Sequence, residues 1–460
     1  MFKSFFGFFA FAGFRKKKGS AERLSEKGFV PSGPDGMATP KILLTRLNND
    51  KGGEVGNRLG KLLTGIQGVD VYRHKKAMKV PDGIENPAER LIVSVEEGRA
   101  WLIEERADLL IWGDIDDQKT GLSLRLLPAL GGNGEPLEFS GLGEGLEFPV
   151  AFGEQLNPLF CAAAIGAFGP TFKGVRSGLG EALGGYLENA GNLLQTLPPG
   201  LSKIQAASVL TAVGNAFVAH ASLGGGQEKL DMAIEAYREA EKQVPKESQP
   251  LAWARIQNSL AAVLQAQGQN KKDPTLLRKA AVTYSTVIAN LSATAHANDW
   301  AMANIPLGKA LYILAGLEGK PEYLKRAGAA YEEALSVYNM EKSPSRWAEV
   351  TNQYGVVLLA LGEETDGDAA LEEAVSKFRT AIKVWQRDKA PLLWAQTANN
   401  LGAACFALAK RNAQNSLLRE ASDFFEGATE VYRQQGVTKQ AQVIEKNLQR
   451  VKRLLQTRGG

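Results

Sequence analysis

Two stretches, PSRWAEVTNQYG at Pro344–Gly355 and LEEAVSKF at Leu371–Phe378, decide how this chain folds, because both recur on either side of themselves. The Trp-Ala pair stands at Trp253-Ala254, Trp300-Ala301, Trp347-Ala348 and Trp394-Ala395, in three steps of 47 residues without slippage. The second stretch keeps the same step in Leu230, Leu277, Leu324, Leu371 and Leu418, and in Ala233, Ala280, Ala327, Ala374 and Ala421. It does so again in the aromatic set Tyr237, Tyr284, Tyr331, Phe378 and Phe425. A fixed period of this size marks stacked supersecondary units that bury their cores only against each other.

Each unit reads as two helices. After the tryptophan come an apolar residue and a small one, as in Leu260-Ala261, Leu307-Gly308, Tyr354-Gly355 and Leu401-Gly402, with Leu264, Leu311 and Leu358 three residues past the first three of the small ones. That is one face of a helix. The second helix carries Leu, Ala and an aromatic at offsets 0, +3 and +7, which is again a single stripe. The small residues let the two backbones approach, and the aromatic fills the space beside them. Pro250, Pro344 and Pro391 lie three residues before their tryptophans, where a first-turn proline gives up no intrahelical bond.

These residues resemble the tetratricopeptide repeat family. With Gly308 as that family's small residue in the first helix, Ala327, Tyr331 and Ala334 match its small and aromatic positions in the second. The usual unit is ~34 residues, so about 13 are extra here, and the chain looks like the long bacterial variety with a Pro-x-x-Trp-Ala start. Stepping back by one period places a weak first unit near Ser202, and stepping forward makes Lys439 to Gln456 a closing helix with a polar face. The expected fold is mostly α, an α-α solenoid of five tetratricopeptide-like repeats preceded by a small α/β domain.

The resemblance also implies that the first helices line an inner groove, at positions two, five, nine and twelve after each tryptophan. Arg255, Asn258, Gln265, Met302, Lys309, Tyr312, Glu349, Asn352, Gln396 and Asn399 fall there. Amides both donate to and accept from an extended peptide backbone, and Arg255 and Lys309 suit a carboxylate. The alternative is that the asparagines bond neighbouring helices within the solenoid. Trp253, Trp300, Trp347 and Trp394, with the aromatic set above, are expected to be repeat core rather than ligand platforms.

The rest of the chain divides into residues 1–39, an aromatic and basic segment with a linker; 40–150, an α/β domain; 151–200, connecting helices; and 201–460, the array. Six phenylalanines between Phe5 and Phe14 are followed by Arg15-Lys16-Lys17-Lys18. A secretory signal, a membrane-surface anchor and a disordered tail all fit residues 1–18: the small-x-small Ala10-Phe11-Ala12 favours the first, and aromatics beside lysines favour the second. The corresponding locations are the periplasm, or the cytoplasm with peripheral attachment to the inner membrane. No run of ~18 to 20 consecutive apolar residues is present.

In the α/β domain, strands are expected at Lys41–Leu47, Val69–Arg73, Leu109–Trp112 and Leu122–Leu127, and helices at Glu54–Leu63 and Pro87–Arg106. With Ala107-Asp108 ending a helix and Gly113-Asp114 closing a strand, the order resembles the amino-terminal domain of the TolB protein and its flagellar FlgO-type relatives. That module precedes tetratricopeptide arrays in bacterial regulators. Gly131–Gly145 reads as a loop, Leu156–Phe168 as an apolar helix, and Ser177–Leu194 as a helix interrupted at Gly184-Gly185.

Residues able to do chemistry are sparse. The turn ending in Gly56-x-x-x-Gly60-Lys61-Leu62 is one residue short of a nucleotide loop and lacks the hydroxyl that holds magnesium. His74, His220 and His296 have no second ligand at metal spacing, and Asp114, Asp116 and Asp117 read as a solvated hairpin. Cys161 and Cys405 lie in apolar helical stretches as buried free thiols. A net charge of +4 over 460 residues gives no field that argues for nucleic acid. We therefore expect no enzyme and no cofactor, but a scaffold or adaptor with a protein or peptide partner and a possible membrane contact; oligomeric state is left open. The alternatives are a regulatory subunit acting in trans on a signalling enzyme such as a nucleotide cyclase, and a periplasmic envelope-assembly factor.

Overall fold

The computed structural model describes residues 39–78, 84–85, 87–129, 145–168, 176–365 and 367–459; the readings made above for residues 1–18 and for Gly131–Gly145 lie outside or almost wholly outside them. The first described part is a five-stranded sheet in the order β2-β1-β3-β4-β5. Its strands are β1 (Lys41–Arg46), β2 (Asp70–Ala77), β3 (Leu109–Ile115), β4 (Gly121–Pro128) and β5 (Leu146–Pro149). β1 lies parallel to both β2 and β3, with Ile42 opposite Val71 on one side and Leu109 on the other. β3 and β4 form the hairpin, and β4 pairs antiparallel with β5 through Leu122 and Phe148. β1 and β3 are buried almost throughout because helices cover both sheet faces.

Two strands differ from the sequence reading. β2 runs on past Arg73 through His74, Lys75 and Lys76, since an edge strand tolerates charges on exposed positions and they discourage pairing with other chains. β5 was not foreseen: four residues ending in proline carry too little periodicity to read, and only pairing with β4 defines them.

Helix α1 (Glu54–Thr64) covers one sheet face and α2 (Pro87–Glu104) the other. On the α1 side, Ile42, Leu44, Ile111 and Leu122 merge into a single core with α3 (Asn157–Ala167), α4 (Arg176–Ala190) and the first repeat. On the α2 side, Leu43, Leu110, Trp112 and Leu127 pack with Val95 and Leu102. α4 is continuous through Gly184-Gly185, contrary to the expected interruption. A Cβ on Gly184 would stand 3.3 Å from His220 Nε2, so the glycine serves close helix packing and not a break.

Five helix pairs follow: α5 (Lys203–Ser222) with α6 (Glu228–Gln243), α7 (Pro250–Lys271) with α8 (Pro274–Ala289), and α9 (Ala297–Glu318) with α10 (Pro321–Val337). Then come α11 (Pro344–Glu364) with α12 (Ala369–Ala381), α13 (Pro391–Asn412) with α14 (Asn415–Gln434), and a last helix, α15 (Thr438–Thr457). The fold is thus a helical repeat solenoid with a small sheet domain in front. Ser202 caps α5 with a full capping box, its side chain taking Gln205 N–H while Gln205 bonds back to Ser202 N–H. Much of the added repeat length lies in the first helices: α7, α9 and α13 have 22 residues each.

The periodic positions are the core. Ala254, Ala301, Ala348 and Ala395 are fully enclosed, as are Tyr237, Tyr284, Phe378 and Phe425, with Tyr331 nearly so. The glycines of the first helices are there for the rings of the second. A Cβ on Gly308 would approach Tyr331 to 2.8 Å, and one on Gly355 would approach Phe378 to 2.7 Å. Trp253 is buried, whereas Trp300, Trp347 and Trp394 are half-buried against the apolar clusters of adjoining units. Ion pairs about one unit long tie successive repeats, including Arg278 with Glu318, Arg379 with Glu420, and Arg387 with Glu430.

α5 is long and apolar enough to cross a membrane by length and composition alone, although it contains no unbroken apolar run. It is instead a core helix, mostly buried against β5, α3, α4 and α6.

Candidate functional site

Successive first helices touch one another along much of the array, α5 with α7, α7 with α9 and α11 with α13, whereas successive second helices touch more sparsely. The first helices therefore line the tighter, inner side of the curve. Polar side chains collect there, and most are buried.

Arg255 reaches forward one unit, its Nε donating to Asp299 Oδ1 at 2.5 Å and its other nitrogen to Oδ2 at 3.1 Å. Its carboxylate partner is thus within the chain. Asn352 Oδ1 accepts from Asn400 Nδ2 at 3.2 Å, and Asn399 Nδ2 lies 3.4 Å from Asn400 Oδ1, so an amide chain crosses from α11 to α13. The Asn352–Asn400 bond matches the alternative of asparagines bonding neighbouring helices within the solenoid, whereas the Asn399–Asn400 bond lies within α13. Among the described residues Asn399 Oδ1 has no partner, nor have Asn258 Oδ1 and both amide atoms of the fully buried Gln265. A buried amide that keeps unspent bonding capacity costs about 1–3 kcal/mol.

Lys309 is buried near the middle of α9, and Gln396 is half-buried near the start of α13. Burial pushes the Tyr312 hydroxyl up to about 12, and the Glu363 carboxylate adds to the rise. Glu363 itself lies above the ordinary carboxylate value, chiefly through burial, against the pull of Lys410. Arg255, Asn258, Lys309, Tyr312, Asn352, Gln396 and Asn399 thus all fall on first helices. The structure links Arg255 to the next repeat and joins Asn352 with Asn399 through Asn400, a residue the sequence reading did not single out although it stands beside Asn399.

On the outer side, α8 and α10 border a groove of about 500 Å³ lined by Arg278, Val282, Ser285, Leu314, Tyr323 and Arg326. The glycine-rich turn before α1 is closed by its own acid: Asp50 Oδ2 accepts from Gly56 N–H at 2.9 Å, where an anion would otherwise meet the helix. His74 stacks on Trp101 with ring centres 4.3 Å apart, His296 precedes α9, and His220 packs beside α4. Asp116 accepts from Thr120 and Gly121 across the exposed hairpin turn, and these bonds hold its carboxyl below the usual range. Cys161 and Cys405 are free and buried. Among the described residues no group of three metal-ligating side chains comes together.

No family model matches the chain, and no curated protein matches it. Among solved structures, a Rap protein complexed with competence and sporulation factor is 13% identical over 66% of this chain and 77% of its own, with a TM-score of 0.34. A circular tandem repeat protein with a novel repeat topology is 18% identical over 66% of this chain and 80% of its own, with a TM-score of 0.29. A de novo designed helical repeat protein is 17% identical over 56% of this chain and 97% of its own, with a TM-score of 0.16. Likeness at this level carries no argument about function.

Proposed function

We propose that the chain is a non-enzymatic scaffold that holds a protein or peptide segment against the inner face of its repeat array. In this reading the array is the long tetratricopeptide-like variety, and the sheet domain is TolB/FlgO-like. The observation that supports it is the pair of amides on the first helices, half-buried Asn258 and buried Asn399, whose Oδ1 atoms have no hydrogen-bond partner among the described residues. A peptide backbone offers the donors and acceptors that such amides match.

The test is selection of short peptides from a displayed random library on the full chain, followed by calorimetric titration against Asn258→Ala, Gln396→Ala and Asn399→Ala variants. Selected peptides should lose at least tenfold in affinity in two of the three. Peptides whose affinity ignores all three substitutions would defeat the reading. Attachment of residues 1–18 to the inner membrane surface is a separate proposal. It requires that deleting residues 2–18 release the chain from sedimenting membranes.

A further inference from the structure

Helix α2 has two working faces. Val95 and Leu102, with half-buried Leu91, pack onto the sheet. Glu89, Ile92, Glu96 and Arg99 are spaced by three, four and three residues, which puts them on a second stripe turned by about 100° from the first. That stripe meets the repeat array. Ile92 is 7% exposed and belongs to the apolar core of the repeats, not to that of the sheet. Lys342 donates to Glu89. Glu96 Oε2 accepts from the backbone N–H of Ser345 at 3.3 Å, while its Oε1 holds Arg99 at 3.2 Å.

Ser345 lies in the first turn of α11, whose N–H groups have no partner inside the helix. Glu96 therefore supplies, from another part of the fold, the negative charge that a helix N-terminus attracts. Beside it Arg346 pairs with Glu349 at 2.8 Å, both side chains 4% exposed. Arg346 stands 5.8 Å from the centre of the Tyr338 ring, and the Tyr338 hydroxyl donates to Asn298 Oδ1 at 3.0 Å. Beyond the Glu89–Lys342 pair, α2 thus brings one carboxylate, Glu96, and one guanidinium, Arg99, to a place that holds one of each, Glu349 and Arg346.

Burial pulls the Arg99 guanidinium below its ordinary value; the Glu96 and Glu349 carboxylates oppose this and Arg346 adds to it. Arg99 Nε, Arg346 Nε and Glu349 Oε1 find no partner in the seam. Charges enclosed in this way return little net free energy, because desolvation offsets most of their attraction. Such a contact can open. α2 packs against α9, and α9 and α11 touch each other more sparsely than their neighbours in the inner row do.

We propose that the seam between α9 and α11 is a receptor site for an amphipathic helix bearing an aliphatic residue, a carboxylate four residues on and a guanidinium three residues after that. α2 fills the site in the closed chain, and a partner helix of the same chemistry enters by displacing it. This rests on the inner face being the binding surface, but it uses residues other than the amides tested above.

Three full-length chains test it: the unaltered protein, an opened variant with Ile92→Asp and Arg99→Glu, and a Glu89→Cys, Lys342→Cys variant bridged by a flexible bismaleimide. The two native thiols are buried, so bridging is confined to the engineered pair. The probe is a fluorescent peptide with the sequence of residues 87–106, followed by anisotropy. The opened chain should bind it at least tenfold more tightly than the unaltered chain, and the first-turn amides of α11 should exchange hydrogen faster. The bridged chain should not bind, nor should a peptide with Glu96→Ala and Arg99→Ala bind the opened chain. Equal binding by all three chains overturns the proposal, as does faster exchange without binding, or unchanged exchange. If the opened chain does not fold, the bridged chain decides: the unaltered chain must bind at high peptide concentration and bridging must abolish this, and any other result overturns the proposal. Library peptides that depend on Gln396 and Asn399 report on the scaffold reading separately, so either idea can fail alone.

Discussion

Adding one methyl group at Gly355 tests whether the aromatic residues set the spacing of the paired helices. The added Cβ would lie 2.7 Å from Phe378 Cε1 and 2.8 Å from Cζ, nearly an ångström inside ordinary contact. Phe378 is fully buried, so its ring can retreat only by displacing other core groups. Overpacking of this kind costs about 1–3 kcal/mol, and replacing a helical glycine by alanine returns about 1 kcal/mol. The net expectation for Gly355→Ala is a loss of up to about 2 kcal/mol. Gly185→Ala in α4, where nothing lies within 4 Å, should instead gain up to about 1 kcal/mol. A repeat array need not unfold as one unit, so the appropriate assay is hydrogen exchange of the α11 and α12 amides, which reads local stability. Phe378→Leu should make room for the methyl, so the double variant should be more stable than the sum of the singles by at least about 1 kcal/mol. If the two changes add within about 0.5 kcal/mol, or if Gly355→Ala stabilises the helix pair, the ring does not set the spacing. Ala261 stands at the equivalent place in the second repeat, fully buried in the same core as Tyr284, so the backbone can accept a methyl when a whole unit is built around it.

Burial raises the Asp108 carboxyl from 3.8 to about 6 despite the Lys41 backbone N–H it accepts at 2.8 Å and the Lys41 charge. The folded chain then holds this proton more tightly than the unfolded one, so stability is lost as pH rises from about 4 to above 6. At about 1.4 kcal/mol per pH unit the loss is of order 3 kcal/mol, and urea titrations across that range should find it reduced in Asp108→Asn; an unchanged slope would refute the assignment. Asn352→Ala should lower local stability of α11 and α13 by about 1 kcal/mol, because Asn400 loses its acceptor, with hydrogen exchange as the readout. Burial pushes the Cys161 and Cys405 thiols up to about 11 and about 12, so neither should react with a thiol reagent at pH 8 until the chain is unfolded. Rapid labelling of either in the native state would contradict the burial. Trp253→Ala should cost about 3–5 kcal/mol, and the same change at half-buried Trp347 less, by calorimetry.

The sequence alone determined the repeat, its 47-residue step, the two-helix unit and the alternation of strands and helices ahead of it, because these depend on local periodicity. An apolar stripe at helical spacing has one economical burial, against the next identical stripe, and a glycine opposite an aromatic in four of the five units (Gly214, Gly308, Gly355 and Gly402) names the helix contact. The start of the array near Ser202 was legible too, although the capping box there appears only in the structure. What the tertiary structure alone decided were contacts between residues far apart in the chain. β5 exists because β4 needs a partner, and β2 runs past Arg73 because it lies at an edge. Gly184 does not break its helix because His220 comes close to it. Asn400 joins Asn352 to Asn399, and Arg255 finds Asp299, across a helix boundary that periodicity does not describe. Most of all, Glu96 meets Ser345 across 249 residues. Nothing in the pattern of α2 distinguishes a carboxylate that caps a distant helix from one that faces solvent, since that difference is made by the curvature of the array that brings the two together.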